Sequence, residues 1–165
     1  MRSLSVTRRL QSARPRATPR RMSPLLAGLL LVPLVDQGIK FFLLQWVGRR
    51  SISLGLLGRV EIVQTRFWLA RLSRQAPRSL WWAAWSLAAG ALAAATVMAP
   101  RCGWFAGLLL GGSLSHLLES SLRGWICDFV RLRFWPAFNL ADVAICAGAL
   151  GLAAQAVVLI THASS

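Results

Sequence analysis

Asp128 and Asp142 are two of only five acidic residues in a chain of 165, and both stand beside strongly apolar runs. A carboxylate in or at the edge of a bilayer is expensive, so it is normally paired, hydrogen-bonded or functional. Two of them fourteen residues apart, either side of a helix start led by Pro136, suit an acid/base pair. Asn139 and Asp142 fall at i and i+3, which puts an amide and a carboxylate on one helix face. Taken singly, each aspartate has a structural alternative as a solvated helix cap or an arginine partner.

A second polar group lies in the first apolar run. Asp36 and Lys40 are at i and i+4, with the acid on the N-terminal side as an ion pair prefers. In lipid such a pair neutralises itself. A salt bridge that tolerates burial and direct participation in chemistry are both open, and a supporting role near a site uses both observations. Cys102, Cys127 and Cys146 are odd in number, with no CxxC, which indicates neither a disulfide framework nor a zinc site. No Gly-rich phosphate loop, HExxH or GxSxG is present, so kinase, zincin and serine-hydrolase chemistry has no motif behind it.

The elements that must position these groups are apolar. The chain is 56% hydrophobic with a mean hydropathy of +0.55, far too apolar for a small soluble domain, and it reads as an all-α integral membrane protein. Four runs, at residues 24–47, 79–99, 102–118 and about 138–160, approach the roughly 20 residues that cross a bilayer core. Arg101 is the whole connection between the second and third, with Pro100 ending the first arm, so these two are expected to be antiparallel neighbours. Within residues 51–75, the segment RVEIVQ alternates, Val60, Ile62 and Gln64 against Glu61 and Val63. That predicts a small β-cradle beside the membrane, between the first two helices. The tryptophans, Trp81, Trp82 and Trp85 among them, read as interfacial anchors. Ala- and Gly-rich stretches suit close helix packing.

The formal charge of +14 comes from eighteen Arg and one Lys, and seven of those Arg precede residue 22. Residues 1–23 therefore form a basic tail, disordered and cytoplasmic or a transit peptide, ahead of a membrane domain at 24–162. Met22 directly precedes the first apolar run and is an alternative start. Arginine flanking a membrane helix is expected from topology alone, so nucleic acid is not read as a partner. Residues 48–78 carry seven more Arg, and the positive-inside rule gives no orientation.

The order Asp36-Gln37-x-x-Lys40, Gly111-Gly112, Asp128-Phe129 and WPAFNLADVAIC, at 135–146, resembles the lipoprotein signal peptidase (signal peptidase II) family over about residues 25–155. The last block is the specific one. The resemblance implies a four-helix inner-membrane aspartic peptidase with both termini cytoplasmic, cutting signal peptides from diacylglyceryl-modified prolipoproteins before the lipidated cysteine. It implies catalytic roles for Asp128 and Asp142, supporting roles for Asn139, Asp36 and Lys40, and no metal or organic cofactor. Lipidated substrates and membrane lipids are then the partners of a monomer.

This chain departs from the family near the site. Where the family has Gly-Asn-x-x-Asp-Arg, residues 115–120 read Ser-His-Leu-Leu-Glu-Ser, so Asn, Asp and Arg are all replaced. The family's Asn-x-Gly-x-Ala-Phe stretch is not recognisable in residues 63–68. His116 takes the place of the Asn; imidazole can orient a neighbour through either ring nitrogen while adding a titration, or it can be packed at a helix end. Arg123 can return the lost charge if that turn is helical. The expected mechanism has Asp128 and Asp142 sharing one proton, with Asp142 the ionised partner because it lies near a helix start. Two other readings stand beside it: a weakened relative that binds lipidated peptides or a membrane partner, and a small transport or scaffold subunit with a polar track.

Overall fold

In lipid, a segment must satisfy its own backbone N–H and C=O groups, so long apolar runs become helices. The computed structural model describes residues 23–47, 50–65 and 77–163, and the helices there are α1 (Ser23–Trp46), α2 (Arg78–Met98), α3 (Gly103–Arg123) and α4 (Leu140–Ala163). The basic tail up to residue 22 and residues 66–68 of the stretch at 63–68, Trp68 included, lie outside the described residues. The tight connection at Arg101 is a single 3-10 turn, Pro100–Cys102, in which the Cys102 N–H donates to Ala99 O at 3.0 Å.

Among the described residues, three helical segments are long and apolar enough to cross a membrane by length and composition: Pro24–Trp46, Arg78–Met98 and Leu140–His162. The third apolar run, read above as one of four spans, lies in α3, which is as long as α2 but carries Ser113, Ser115, His116, Glu119, Ser120 and Ser121. Its position accounts for that composition. α3 is the central helix, with α1 and α4 along it and α2 at one side, and its polar residues face protein instead of lipid. Close approach is enforced by small residues, since a Cβ on Gly28 of α1 would stand 2.7 Å from the Gly107 backbone of α3.

α3 also runs further than residue 118. It continues to Arg123 and stops at Gly124, whose φ of 76° is left-handed and whose N–H returns to Ser120 O at 3.0 Å. α4 begins at Leu140, later than the expected 138, because Pro136 lies in the preceding turn and Phe138 is held in a bridge to Val130. Two of the tryptophans make contacts between helices. Trp82 Nε1 donates to Ser121 Oγ at 3.2 Å and Trp85 Nε1 to Ser113 Oγ at 3.0 Å, so both indoles fasten α2 to α3.

The cradle is a three-stranded antiparallel sheet in the order β1 (Ile52–Ser53), β2 (Gly58–Thr65) and β3 (Ile126–Leu132). Only β1 and β2 lie between the first two helices; the third strand comes from the connection between α3 and α4. A register shift between Val60 and Val63 breaks the simple alternation read from RVEIVQ. Beyond it Val63 pairs with Asp128 and Thr65 with Ile126. Residues opposite each other in a ladder share a face, which turns Thr65 and Asp128 to the same side as diagonal neighbours.

Candidate active site

Asn139 is the residue around which the site is built. It precedes the first turn of α4, and its Oδ1 accepts the Asp142 N–H at 3.1 Å while Asp142 Oδ2 accepts the Asn139 N–H at 2.9 Å. This reciprocal cap satisfies two donors that a helix start leaves open. The same amide then reaches β3: Nδ2 donates to Asp128 Oδ1 at 2.6 Å and lies 3.4 Å from Cys127 O. One fully buried side chain thus binds both aspartates, and its partners fix which end of the amide is oxygen.

The two carboxylates sit in different surroundings. Asp128 is 6% exposed, whereas the Asp142 side chain is 37% exposed and lies in the first turn of α4. Burial pushes the Asp128 carboxyl above its ordinary value, and the nearby Asp142 charge acts in the same direction. Hydrogen bonds from Thr65 and Asn139 oppose it, as does His116. Thr65 Oγ1 donates to Asp128 Oδ2 at 2.7 Å and stands 3.3 Å from Ile126 O.

His116, buried on α3, completes the cluster. Its Nε2 is 3.2 Å from Asn139 Oδ1 and 3.4 Å from Asp142 Oδ1. Both neighbours are acceptors, so Nε2 carries the hydrogen. Asp128, Asp142, Asn139 and His116 therefore lie together in one cluster.

Asp36 and Lys40 lie one layer deeper, away from the aspartates' carboxyl groups. Lys40 Nζ is 2.7 Å from Asp36 Oδ2 and 2.6 Å from Glu119 Oε2, with all three side chains fully enclosed. Asp36 also accepts the Ser115 hydroxyl at 2.6 Å and the Ala141 N–H at 3.2 Å, and Gln37 Nε2 donates to Ser115 Oγ at 2.9 Å. Glu119 Oε1 accepts from Arg123 at 2.9 Å and from the Cys127 N–H at 3.2 Å. Beside it, burial and then the Glu119 charge push the Cys127 thiol up to about 11, which leaves it protonated and inert at neutral pH.

Sequence reasoning missed Thr65, Ser115 and Glu119. Helical spacing held a signal for two of them, since Ser115, Glu119 and Arg123 recur every four residues and so share one face of α3. Thr65 left none, because its meeting with Asp128 depends on strand register.

The family model described as signal peptidase (SPase) II matches residues 26–158. The lipoprotein signal peptidase of Teredinibacter turnerae is 35% identical over 100 residues, covering 58% of this chain and 46% of that protein. That of Moorella thermoacetica is 48% identical over 48 residues, covering 29% of this chain and 32% of that one. The aligned segments thus span less than half the length of these curated relatives. A solved bacterial membrane enzyme, determined by the in meso method at 2.3 Å resolution, shares the fold with a TM-score of 0.68 at 15% identity, over 82% of this chain and 88% of that one.

Proposed function

The chain belongs to the signal peptidase II family, and from that premise we propose that it is a multi-pass aspartic endopeptidase of the bacterial inner membrane. It removes signal peptides from diacylglyceryl-modified prolipoproteins, cutting before the lipidated cysteine, and works as a monomer among membrane lipids. All four helices span, both termini are cytoplasmic and the sheet lies on the outer side. The observation that carries the catalytic part is that one residue, Asn139, donates to both carboxylates, to Asp128 through its side-chain Nδ2 and to Asp142 through its backbone N–H.

The two environments divide the work. Asp142, partly exposed at a helix N-terminus, has the setting that favours negative charge and takes a proton from water. The water oxygen attacks the scissile carbonyl carbon. Asp128, whose burial favours the neutral acid, donates its proton to the carbonyl oxygen. Collapse of the tetrahedral intermediate breaks the C–N bond, and the amino group of the lipidated cysteine leaves with the proton that Asp142 gained. In the same collapse one hydroxyl of the diol intermediate returns its proton to Asp128 as the new carboxyl group forms, so the pair ends as it began. His116 donates toward Asp142 Oδ1 and Asn139 Oδ1, orienting the base side of the pair.

The substitutions at His116 and Ser120 favour a second reading, a relative that binds lipidated peptides without cutting them. Purified full-length chain incubated with a diacylglyceryl-modified prolipoprotein separates the two. Release of the signal peptide is expected; retention of the intact precursor on a folded chain overturns the enzyme in favour of the binder.

A further inference from the structure

Each aspartate is preceded by a residue whose backbone N–H is held by a buried carboxylate. Asp36 Oδ1 accepts the N–H of Ala141, next to Asp142, at 3.2 Å. Glu119 Oε1 accepts the N–H of Cys127, next to Asp128, at 3.2 Å. The other oxygens of these two carboxylates, Asp36 Oδ2 and Glu119 Oε2, meet on one ammonium, Lys40 Nζ, at 2.7 and 2.6 Å. The geometry points to Lys40 as a positioning residue that, through Asp36 and Glu119, sets the separation of Asp128 and Asp142.

The connection is continuous and buried. Asp36 and Lys40 are 0% exposed and Glu119 is 1% exposed, so the links run through protein where no water can substitute for a lost partner. Each anchor is also braced from outside the line: Ser115 donates to Asp36 and Arg123 to Glu119. The charges within it balance, with Lys40 and Arg123 against Asp36 and Glu119, and the cluster can remain rigid without drawing in a counter-ion. Rigid spacing matters for this pair. Two carboxylates that divide one proton must be close enough to repel and far enough apart to admit a water, and a displacement of about 1 Å can cost about 100-fold in rate. Among the described residues, His116 lies by Asp142, and Glu119, Lys40 and Arg123 act on Cys127 beside Asp128.

This inference rests on Asp128 and Asp142 being the catalytic pair. Lys40→Met removes the link outright, and Glu119→Asp keeps the charge but shortens one arm by a methylene. In Glu119→Asp the shorter side chain cannot hold both Lys40 and the Cys127 N–H, so β3 is released and Asp128 moves away from Asp142. A roughly 10- to 100-fold fall in kcat with KM near that of the unmodified chain is expected for Glu119→Asp. The two proton-release steps of the aspartate pair should also draw together as their repulsion weakens, in either variant. Infrared titration of the carboxyl stretches, on the full chain in micelles with Asp128→Asn to assign the band, reads that gap without needing turnover. A Glu119→Asp protein with unchanged kcat and an unchanged gap overturns the inference. If both variants fail to fold, amide exchange at Ala141 and Cys127 in the unmodified chain decides: slow exchange supports it, and exchange as fast as in exposed loops defeats it. Cleavage persisting in Asp128→Asn would remove the catalytic pair itself, which is a separate result from an inactive Asp128→Asn beside a normal Glu119→Asp.

Discussion

Arg123 stands one helical turn beyond Glu119 on α3, and its guanidinium bonds Glu119 Oε1 at 2.9 Å. Arg123 lies three positions beyond Ser120 and reaches Glu119 because α3 stays helical as far as Gly124. Glu119 is enclosed while the Arg123 side chain is 31% exposed, so their removal should differ in cost. Glu119→Gln leaves both Lys40 and Arg123 short of a charge and is expected to destabilise by about 3 kcal/mol. Arg123→Gln leaves Glu119 on Lys40 and should cost clearly less. Denaturant unfolding in micelles compares them; equal losses would contradict the asymmetry.

Asp128→Asn and Asp142→Asn should each insert at normal levels and accumulate lipidated precursor. In Asp128→Asn the amide oxygen still accepts from Asn139 Nδ2 and Thr65 can turn its hydroxyl to accept instead of donate; in Asp142→Asn the oxygen still accepts the Asn139 N–H, and His116, facing the new NH2, moves its hydrogen to the other ring nitrogen. Cleavage should fall at least ~100-fold in each, and the double variant should be scarcely worse than either single one. Precursor accumulation in cells, beside membrane abundance of the variants, measures both halves.

Stability should depend on pH through Asp128. Its folded-state carboxyl titrates above the ordinary value, so the folded chain binds that proton more tightly than the unfolded chain does. The contribution is complete below the ordinary carboxylate range and is lost as pH rises through the raised value. Asp128→Asn has no such proton to lose and should unfold at a higher temperature than the unmodified chain at neutral pH. The difference should vanish in acid. Thermal melts across pH test the sign, and an advantage that grows on acidification would reverse it.

Thr65 should tune the same carboxyl. Thr65→Val fills the same volume without a hydroxyl, leaving ionised Asp128 with one donor fewer, and should raise the Asp128 titration further. Thr65→Ser keeps the hydroxyl and should titrate like the unmodified chain. Equal shifts in both variants would assign the effect to local rearrangement instead of the hydroxyl.

Topology can be read by cysteine labelling, though Cys127 is unsuitable as a probe because it is completely buried. Leu56, in the turn between β1 and β2, is 88% exposed. In a chain with Cys102 and Cys146 replaced by Ser, Leu56→Cys should react with an impermeant maleimide added outside spheroplasts. Protection until the membrane is permeabilised would place the sheet, and the aspartates with it, on the wrong side for the proposed substrate.

Much of this protein is legible in its sequence, for reasons that are local. Hydropathy over about 20 residues marks a helix that must satisfy its own backbone, so α1, α2 and α4 could be read without knowing their neighbours. Asn139 and Asp142 are three residues apart, and helical spacing alone brings them together in the cap. Asp128 is conspicuous because acids are scarce here.

What only the tertiary structure decided involves partners far apart in the chain. Thr65 reaches Asp128 across 63 positions through a ladder whose register shifts between Val60 and Val63, and no local pattern announces either the partner or the shift. Lys40 meets Glu119 across 79 positions, because small residues let α1 and α3 approach closely. The sequence presents Glu119 as one more departure from a motif. Packing turns it into the junction between a buried lysine, an arginine one turn away and the backbone beside Asp128, since an enclosed carboxylate must find its hydrogen-bond donors wherever the fold supplies them.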